Sequence, residues 1–467
     1  MLQTFRDFSL SPYALIPPGI VAFLAVLFPF FWTPALFIEA FFVTVLLLFQ
    51  EDLAPCFFPF LCLIIIGTIQ IRDLSVILPL LPFAIIPLLA LAYHLGRYRS
   101  GFRPGPVFFG LCAASLAILL GGVGSIPVDE YFSPVSLIYL FSLSFGLLFL
   151  YYVYAVDLKK KKNYDPYSSY LRAMMYGGLL CCTVILKAFL TYAIDASGEL
   201  TMLRYLEGFI YRNSVGNIIV MTLPAPFYFA RRSTGLRRIF YLCAGLAIYF
   251  CTILTTARTA LLAGSALLVL CVIYFLWGKN HLKLKLCCGG LVLGSAILFF
   301  VLAPDGIFTR IFDGLLYNEE PRIRLLRAAV ADFLNHPLFG IGISNTHNAY
   351  IYSADGVLSF YHMYFPQIFG SMGIFGLLAY GWQFFLRMRV ALAAPDETTF
   401  GLSLVYLALF LYSQTDIGEF FPIPFPLLAL YALVLLERRV EEKTPVPLLS
   451  AFPPRTRIAR ILLGEQG

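Results

Sequence analysis

ALIPPGIVAFLAVLFPFFW (Ala14–Trp32) contains no charged residue and is long enough, as a helix, to cross ~30 Å of hydrocarbon. It has neither a basic leader nor a small-residue cleavage site, and further apolar runs follow at once, so it is expected to be retained as a membrane span. The same pattern recurs to the other end of the chain. Hydrophobic residues make up 60% of the 467 positions and charged residues 13%, and the mean hydropathy is +0.83. These values point to an integral membrane protein without a separate soluble domain of ordinary size.

Spans are expected at 13–32, 34–50, 53–70, 74–95, 105–123, 134–156, 170–195, 214–230, 239–257, 259–277, 286–303, 364–386, 400–415 and 424–436. The expected fold is an all-α polytopic membrane protein with about fourteen transmembrane helices in one domain, 1–467. One long extracytoplasmic loop, 304–361, and a cytoplasmic tail, 437–467, complete the map.

Charge sets the orientation. With both termini cytoplasmic, the basic loops RYRSGFR (97–103), DLKKKK (157–162), RRSTGLRR (231–238), KNHLKLK (279–285) and RMR (387–389) all fall inside, as the positive-inside rule requires. Outside fall Arg72, Arg204, Arg212, Arg258, Arg310, Arg322, Arg324 and Arg327, and no lysine. Lysine and arginine serve equally as topology signals, but only arginine carries a planar fork that holds phosphate oxygens bidentately. An outer face stocked with arginine alone therefore suggests an anionic ligand; anchoring to lipid headgroups is the alternative for each residue singly.

Other chemistries find no support. The ten cysteines are scattered through apolar spans, including pairs at 181–182 and 287–288, with neither a disulfide framework nor metal-ligand spacing. No basic, aromatic-interleaved stretch suggests nucleic acid, and no glycine-rich phosphate loop follows a strand.

Polar residues collect in the outer segment 304–361. Pro321 suits the first position of a helix, LLRAAVADFLNH keeps helical periodicity, and HPLFGIG ends it, so an amphipathic helix is expected. Arg322 then lies in the first turn, where the helix dipole disfavours a lone cation and favours an anion. Pairs of Glu319 with Arg322 and of Glu320 with Arg324 are the structural alternative, worth only ~0.2–0.5 kcal/mol each. Arg258, in the turn TTAR (255–258) at the start of another helix, meets the same conflict with a dipole, and a bound phosphate would remove it.

These residues resemble a family. RIRLLRAAVADFLNHPLFGIG (322–342) is similar to the R-x-x-x-[WL]-R-A-A … H-P-L-x-G-[VI]-G stretch of the O-antigen ligase and O-antigen polymerase superfamily. TTAR resembles its S-R turn, and YHMYFPQIFGSMGIFG (361–376) resembles its H-[NSQ]-x9-G-x-x-G signature, although Met363 stands where the family usually has Asn, Ser or Gln. The likeness covers about residues 200–380. Matched position by position, the family's arginines fall on Arg258 and Arg322 and its histidine on His362.

The resemblance implies glycosyl transfer at the outer face of a bacterial cytoplasmic membrane, from an undecaprenyl-diphosphate-linked glycan to a sugar hydroxyl on a glycan or lipid-linked acceptor. No metal or other cofactor is expected, because arginines can neutralise the diphosphate as the bond to it loosens. A single displacement would invert the anomeric carbon. A polymerase is preferred to a ligase acting on lipid A core or another carrier. A flippase for lipid-linked sugars is the reading of another class; it would place charges along a midplane cavity, where Lys187 is the clear candidate. The expected catalytic residues are His362, Arg322 and Arg258, with Arg212, Arg324, Arg327, His347 and Asn348 binding substrate. His362 is favoured as the base over His347, which lies in the polar loop SNTHNAY (344–350) and suits orienting the acceptor; His336 suits the carbonyls at the end of its helix.

Overall fold

The structure, a computed structural model, describes residues 2–70, 81–126, 134–157, 165–193, 211–276, 321–343, 360–421 and 424–443. Its helices, in chain order, are α1 (Leu2–Ser9), α2 (Ile16–Leu27), α3 (Trp32–Phe49), α4 (Phe57–Gln70), α5 (Leu81–Tyr98), α6 (Pro106–Gly124), α7 (Pro134–Phe141) and α8 (Leu147–Asp157). They continue with α9 (Pro166–Tyr192), α10 (Arg212–Thr222), α11 (Pro224–Arg232), α12 (Gly235–Leu254), α13 (Arg258–Leu276), α14 (Pro321–Asn335), α15 (Tyr364–Ala393), α16 (Glu397–Ser413) and α17 (Phe425–Lys443). No strand occurs among the described residues.

Local chemistry sets many of these boundaries. Proline has no N–H to lose and a φ already suited to a helix, so α6, α7, α9, α11 and α14 all begin on it. The Asp165 carboxylate caps α9 by accepting from the N–H groups of Tyr167 and Ser168, and Asp396 and Thr399 form a capping box at the start of α16. Pro224 divides the single span expected at 214–230 into α10 and α11, because its ring cannot continue the ladder.

Seven helical stretches among the described residues are long and apolar enough to cross a membrane: Pro29–Phe49, Pro106–Gly124, Ser136–Asp157, Pro166–Tyr192, Gly235–Leu254, Arg258–Leu276 and Tyr364–Ala393. Pro12–Leu27, Ala54–Thr68 and Glu397–Ser413 are apolar but shorter. The chain is thus a multi-pass helical membrane protein. The expected span 286–303 lies outside the described residues, as does most of the loop 304–361. Helix α17 runs past the expected end of the last span, to Lys443, held by the Glu437 carboxylate on the N–H of Val107 at the start of α6.

Two ends of the bundle differ in chemistry. At one, Glu397 pairs with Arg231 and Arg232, Asp396 with Arg439 and Lys443, and the Tyr274 hydroxyl donates to the carbonyl of Glu397. Ser100 N–H donates to Val156 O at the foot of the same bundle, where the Tyr151 hydroxyl bridges Gly105 N–H and Glu437. The basic segments 97–103, 231–238 and 437–439 therefore share one end. Arg387, expected in a basic loop, lies within α15 instead. It is buried against Glu419 and over the Tyr406 ring, a pairing that makes a cation tolerable inside the bundle. Lys187 donates to the carbonyls of Val26 and Leu27, so it caps the C-terminus of α2.

Candidate functional site

Helix α15 begins two residues after His362 and is not straight. Gly373 has φ 61° and ψ −151°, a backbone region open in practice to glycine alone, and it divides the helix into a short arm, 364–372, and a long arm, 374–393. The rings of Tyr364 and Tyr380 lie 6.1 Å apart, although a straight helix would separate their Cα atoms by roughly 24 Å. The corner is therefore acute and the arms run back along each other. A Cβ on Gly376 would sit 3.0 Å from Ile368 O and 2.5 Å from Met372 Cβ, so the second glycine of the signature lets the arms close.

The HPLFGIG segment splices into this corner. Ile374 N–H donates to Pro337 O at 2.8 Å, while Ile341 and Gly342 donate to Gly370 O at 3.1 Å and Ser371 O at 2.9 Å. A broken helix leaves donors and acceptors unpaired, and these bonds satisfy them. Gly340, at φ 67°, allows the approach: a Cβ there would lie 2.3 Å from Ser371 C. Gly121 and Gly124, at the far end of α6 from the basic loops, pack against Ser371 O and against Phe339 and Gly340. The corner thus sits level with the end of α6. Tyr364, which opens the short arm two residues after His362, packs on Tyr380, so His362 lies at the foot of the short arm, below the corner.

His362 meets Asp416 there. Its Nδ1 lies 3.2 Å from Asp416 Oδ1; the side chain of His362 is 45% exposed and that of Asp416 11%. Asp416 Oδ1 also accepts from the N–H of Ile417 at 2.7 Å. The loop that carries Asp416 is fastened on three sides. Glu419 N–H donates to Ser413 Oγ, the Glu419 carboxylate pairs with Arg387, and the Phe420 ring packs between Tyr364 and Tyr380 at 5.7 and 5.5 Å.

The same loop reaches Thr259, the residue after Arg258. Thr415, next to Asp416, donates from Oγ1 to Thr259 Oγ1 at 3.1 Å, and Thr259 donates to Thr415 O at 3.3 Å. Arg258 is the first residue of α13 and Arg212 the first residue of α10. These two helices start side by side: a Cβ on Gly216 would lie 3.0 Å from Ala260 Cβ, and the Tyr412 hydroxyl at the end of α16 donates to Asn213 O. One end of the bundle, opposite the basic loops, therefore gathers two arginines at two helix N-termini, a histidine and its carboxylate. Helix N-termini direct N–H groups and a positive dipole toward an anion.

Backbone strain marks the same place. Among the described residues only Thr256 (φ 55°) and His362 (φ 51°) are non-glycine residues in the left-handed region. For a β-branched residue such as Thr256 this is a genuine outlier, and strain of this kind, about 1–3 kcal/mol each, collects at functional sites. One of the two is the candidate base; the other sits two residues before Arg258.

The remaining sequence candidates divide. Arg322 is placed by its backbone in the first turn of α14. Arg324 and Arg327 are exposed on that helix. The backbone carbonyl of His336 accepts from Gly340 N–H at the end of α14. His347 and Asn348, together with Glu319 and Glu320, lie outside the described residues. Tyr361, just before His362, is tied to α14 by a 2.6 Å bond from its hydroxyl to Asp332 Oδ2, with its ring buried against Ala328, Ala329 and Ile341. Asp416 was missed by reading the sequence. Its only signal is an acid in TDIGE (415–419), in the short gap between two apolar runs.

His362 with Nδ1–H directed at a carboxylate presents Nε2 as a lone-pair acceptor, the arrangement of an oriented general base. Among the described residues no cluster of His, Cys, Asp and Glu could hold a metal ion. A family model described as O-antigen ligase matches residues 242–381, from within α12 to the long arm of α15. The matched segment contains Arg258, Arg322 and His362 and stops short of Asp416. No curated protein matches the chain.

Proposed function

We propose, from the premise that residues 242–381 are of O-antigen ligase type, that the protein transfers a glycan from an undecaprenyl-diphosphate carrier to a sugar hydroxyl at the extracytoplasmic face of a bacterial cytoplasmic membrane. The observation that carries this reading is that one loop bonds both His362, through Asp416, and Thr259, the neighbour of Arg258, through Thr415. It joins an anion-binding end to a proton acceptor. Arg258 and Arg212, at adjacent helix starts, with Arg322 from α14, hold the diphosphate and balance its charge as the bond from the sugar C1 to phosphate oxygen breaks. His362 Nε2 takes the proton of the acceptor hydroxyl as the new C1–O bond forms, and Asp416 steadies the resulting imidazolium. The displacement inverts C1, and the diphosphate leaves on the lipid without needing an acid.

The recess of His362 below the corner suits a donor whose lipid lies in the bilayer while its diphosphate stands near the headgroups. The acceptor is a second lipid-linked glycan in a polymerase, which we favour, or lipid A core or another carrier in a ligase; both use this donor site. Lys187 engages carbonyls at the end of α2, which removes the clearest charge that a transport pathway would need. Incubating the purified protein with an undecaprenyl-diphosphate glycan in vesicles separates the readings. Transfer releases undecaprenyl diphosphate without ATP or added divalent metal, whereas transport moves the lipid between leaflets with its sugar bond intact.

A further inference from the structure

Helix α14 has two apolar faces, and only one is packed against other residues among those described. Ala328 and Ala329 are buried against Tyr361 and Phe369, and Phe333 packs edge-on to Phe369 at 5.6 Å. On the opposite side Ile323, Leu326, Val330 and Leu334, spaced at three and four residues, form an exposed stripe, with Leu334 at 71%. Arg324 and Arg327 flank the stripe and are exposed.

The depth of the helix follows from its neighbours. Four residues beyond its end, Phe339 packs on Gly124, the last residue of the membrane-crossing helix α6. The C-terminal end of helix α14 therefore lies beside the end of α6, where the hydrocarbon ends. Its stripe continues through exposed Leu338 to Ile374 and Phe375 on the long arm of α15, with Phe339 stacked on Phe375 at 5.3 Å, so it joins a surface that already faces lipid.

The geometry points to α14 as an interfacial helix, docked on the anionic outer surface of the bilayer by Ile323, Leu326, Val330 and Leu334, with Arg324 and Arg327 on lipid phosphates. An apolar stripe at headgroup depth buries itself in the acyl boundary, and arginines on its flank reach the phosphates with their stems along the same apolar layer. This assigns Arg324 and Arg327 to membrane lipid in place of the substrate, and it does not depend on the reaction proposed above.

Depth-dependent fluorescence quenching tests it on the full chain in vesicles of phosphatidylethanolamine and phosphatidylglycerol. Trp32, Trp277 and Trp382 are replaced by Phe, and a single tryptophan is introduced as Val330→Trp, Leu334→Trp or, as the control off the stripe, Asn335→Trp. Lipids brominated near the glycerol end of the acyl chain should quench at 330 and 334 at least twofold more than at 335. Adding Arg324→Gln and Arg327→Gln, or replacing phosphatidylglycerol with phosphatidylcholine, should reduce quenching at 330. Ile323→Trp provides the same test should Leu334→Trp fail to insert. Equal, weak quenching at all positions would overturn the docking, and indifference to lipid charge and to both arginines would overturn their assignment.

Discussion

The imidazole Nδ1 of His362 and the carboxylate Oδ1 of Asp416 stand 3.2 Å apart across 54 residues of chain. That contact fixes which ring nitrogen is left for an acceptor hydroxyl, and it makes Asp416 a positioning residue for the base. Asp416→Asn should keep the loop in place yet lose the charge that favours Nδ1–H and steadies the imidazolium. Turnover should fall by roughly 10²–10⁴-fold, the range typical of general-base catalysis, with donor binding unchanged. Single-turnover kinetics beside donor titration will check this; a variant that binds donor and turns over normally would remove Asp416 from the mechanism.

Arginine should not be replaceable by lysine where the diphosphate binds. Arg258→Lys and Arg322→Lys keep the charge but lose the fork, and each should lower transfer roughly 10²-fold while the protein still inserts. Arg324→Lys and Arg327→Lys should retain most activity. Activity measured on the four variants at equal membrane abundance is the check, and equal tolerance at all four sites would assign every one to headgroups.

Gly373 should resist substitution. Alanine there is held at φ 61°, and its Cβ would meet Leu338 O at 2.4 Å and Pro337 O at 2.5 Å. Strain alone costs about 1–3 kcal/mol, and the collision must displace the HPLFGIG segment as well. Gly96, with nothing within 4 Å of an added Cβ, is the control. Thermal unfolding in detergent should show Gly373→Ala well below wild type and Gly96→Ala near it.

Much of this end of the molecule was legible in sequence, for different reasons at different residues. His362 was picked out by its local spacing to Gly373 and Gly376, and Arg258 and Arg322 by their places at helix starts on an outer face stocked with arginine. The glycines themselves carried a meaning that spacing could not give: Gly340, Gly373 and Gly376 serve backbone approach at an acute corner where a single straight span was expected. Arg387 looked like a loop charge because its counterion, Glu419, is 32 residues away. Asp416 stayed hidden for the same reason, since pairing across a fold leaves no period in the chain.

The basic end should keep its ion pairs well into acid. Burial raises the Asp396 carboxyl, but hydrogen bonds from Lys443, Thr399 N–H and Arg439 outweigh it and hold the group well below the usual carboxylate range. A carboxyl depressed in the folded state contributes stability that is present above its unfolded pKa and lost as pH falls through the folded value. Stability from this cluster should therefore be level from neutral pH down to the ordinary carboxylate range and decline only below it. Asp396→Asn should lower the melting temperature at pH 7 and weaken the dependence on acid, which melting curves across pH will show.

The most direct test of the central claim is acceptor-dependent release of undecaprenyl diphosphate by His362→Ala, measured with donor binding on the same preparation. The account predicts that the variant binds the lipid-linked glycan within a few-fold of wild type and turns over roughly 10²–10⁴-fold more slowly. Normal turnover by His362→Ala, with His347→Ala inactive, would contradict it.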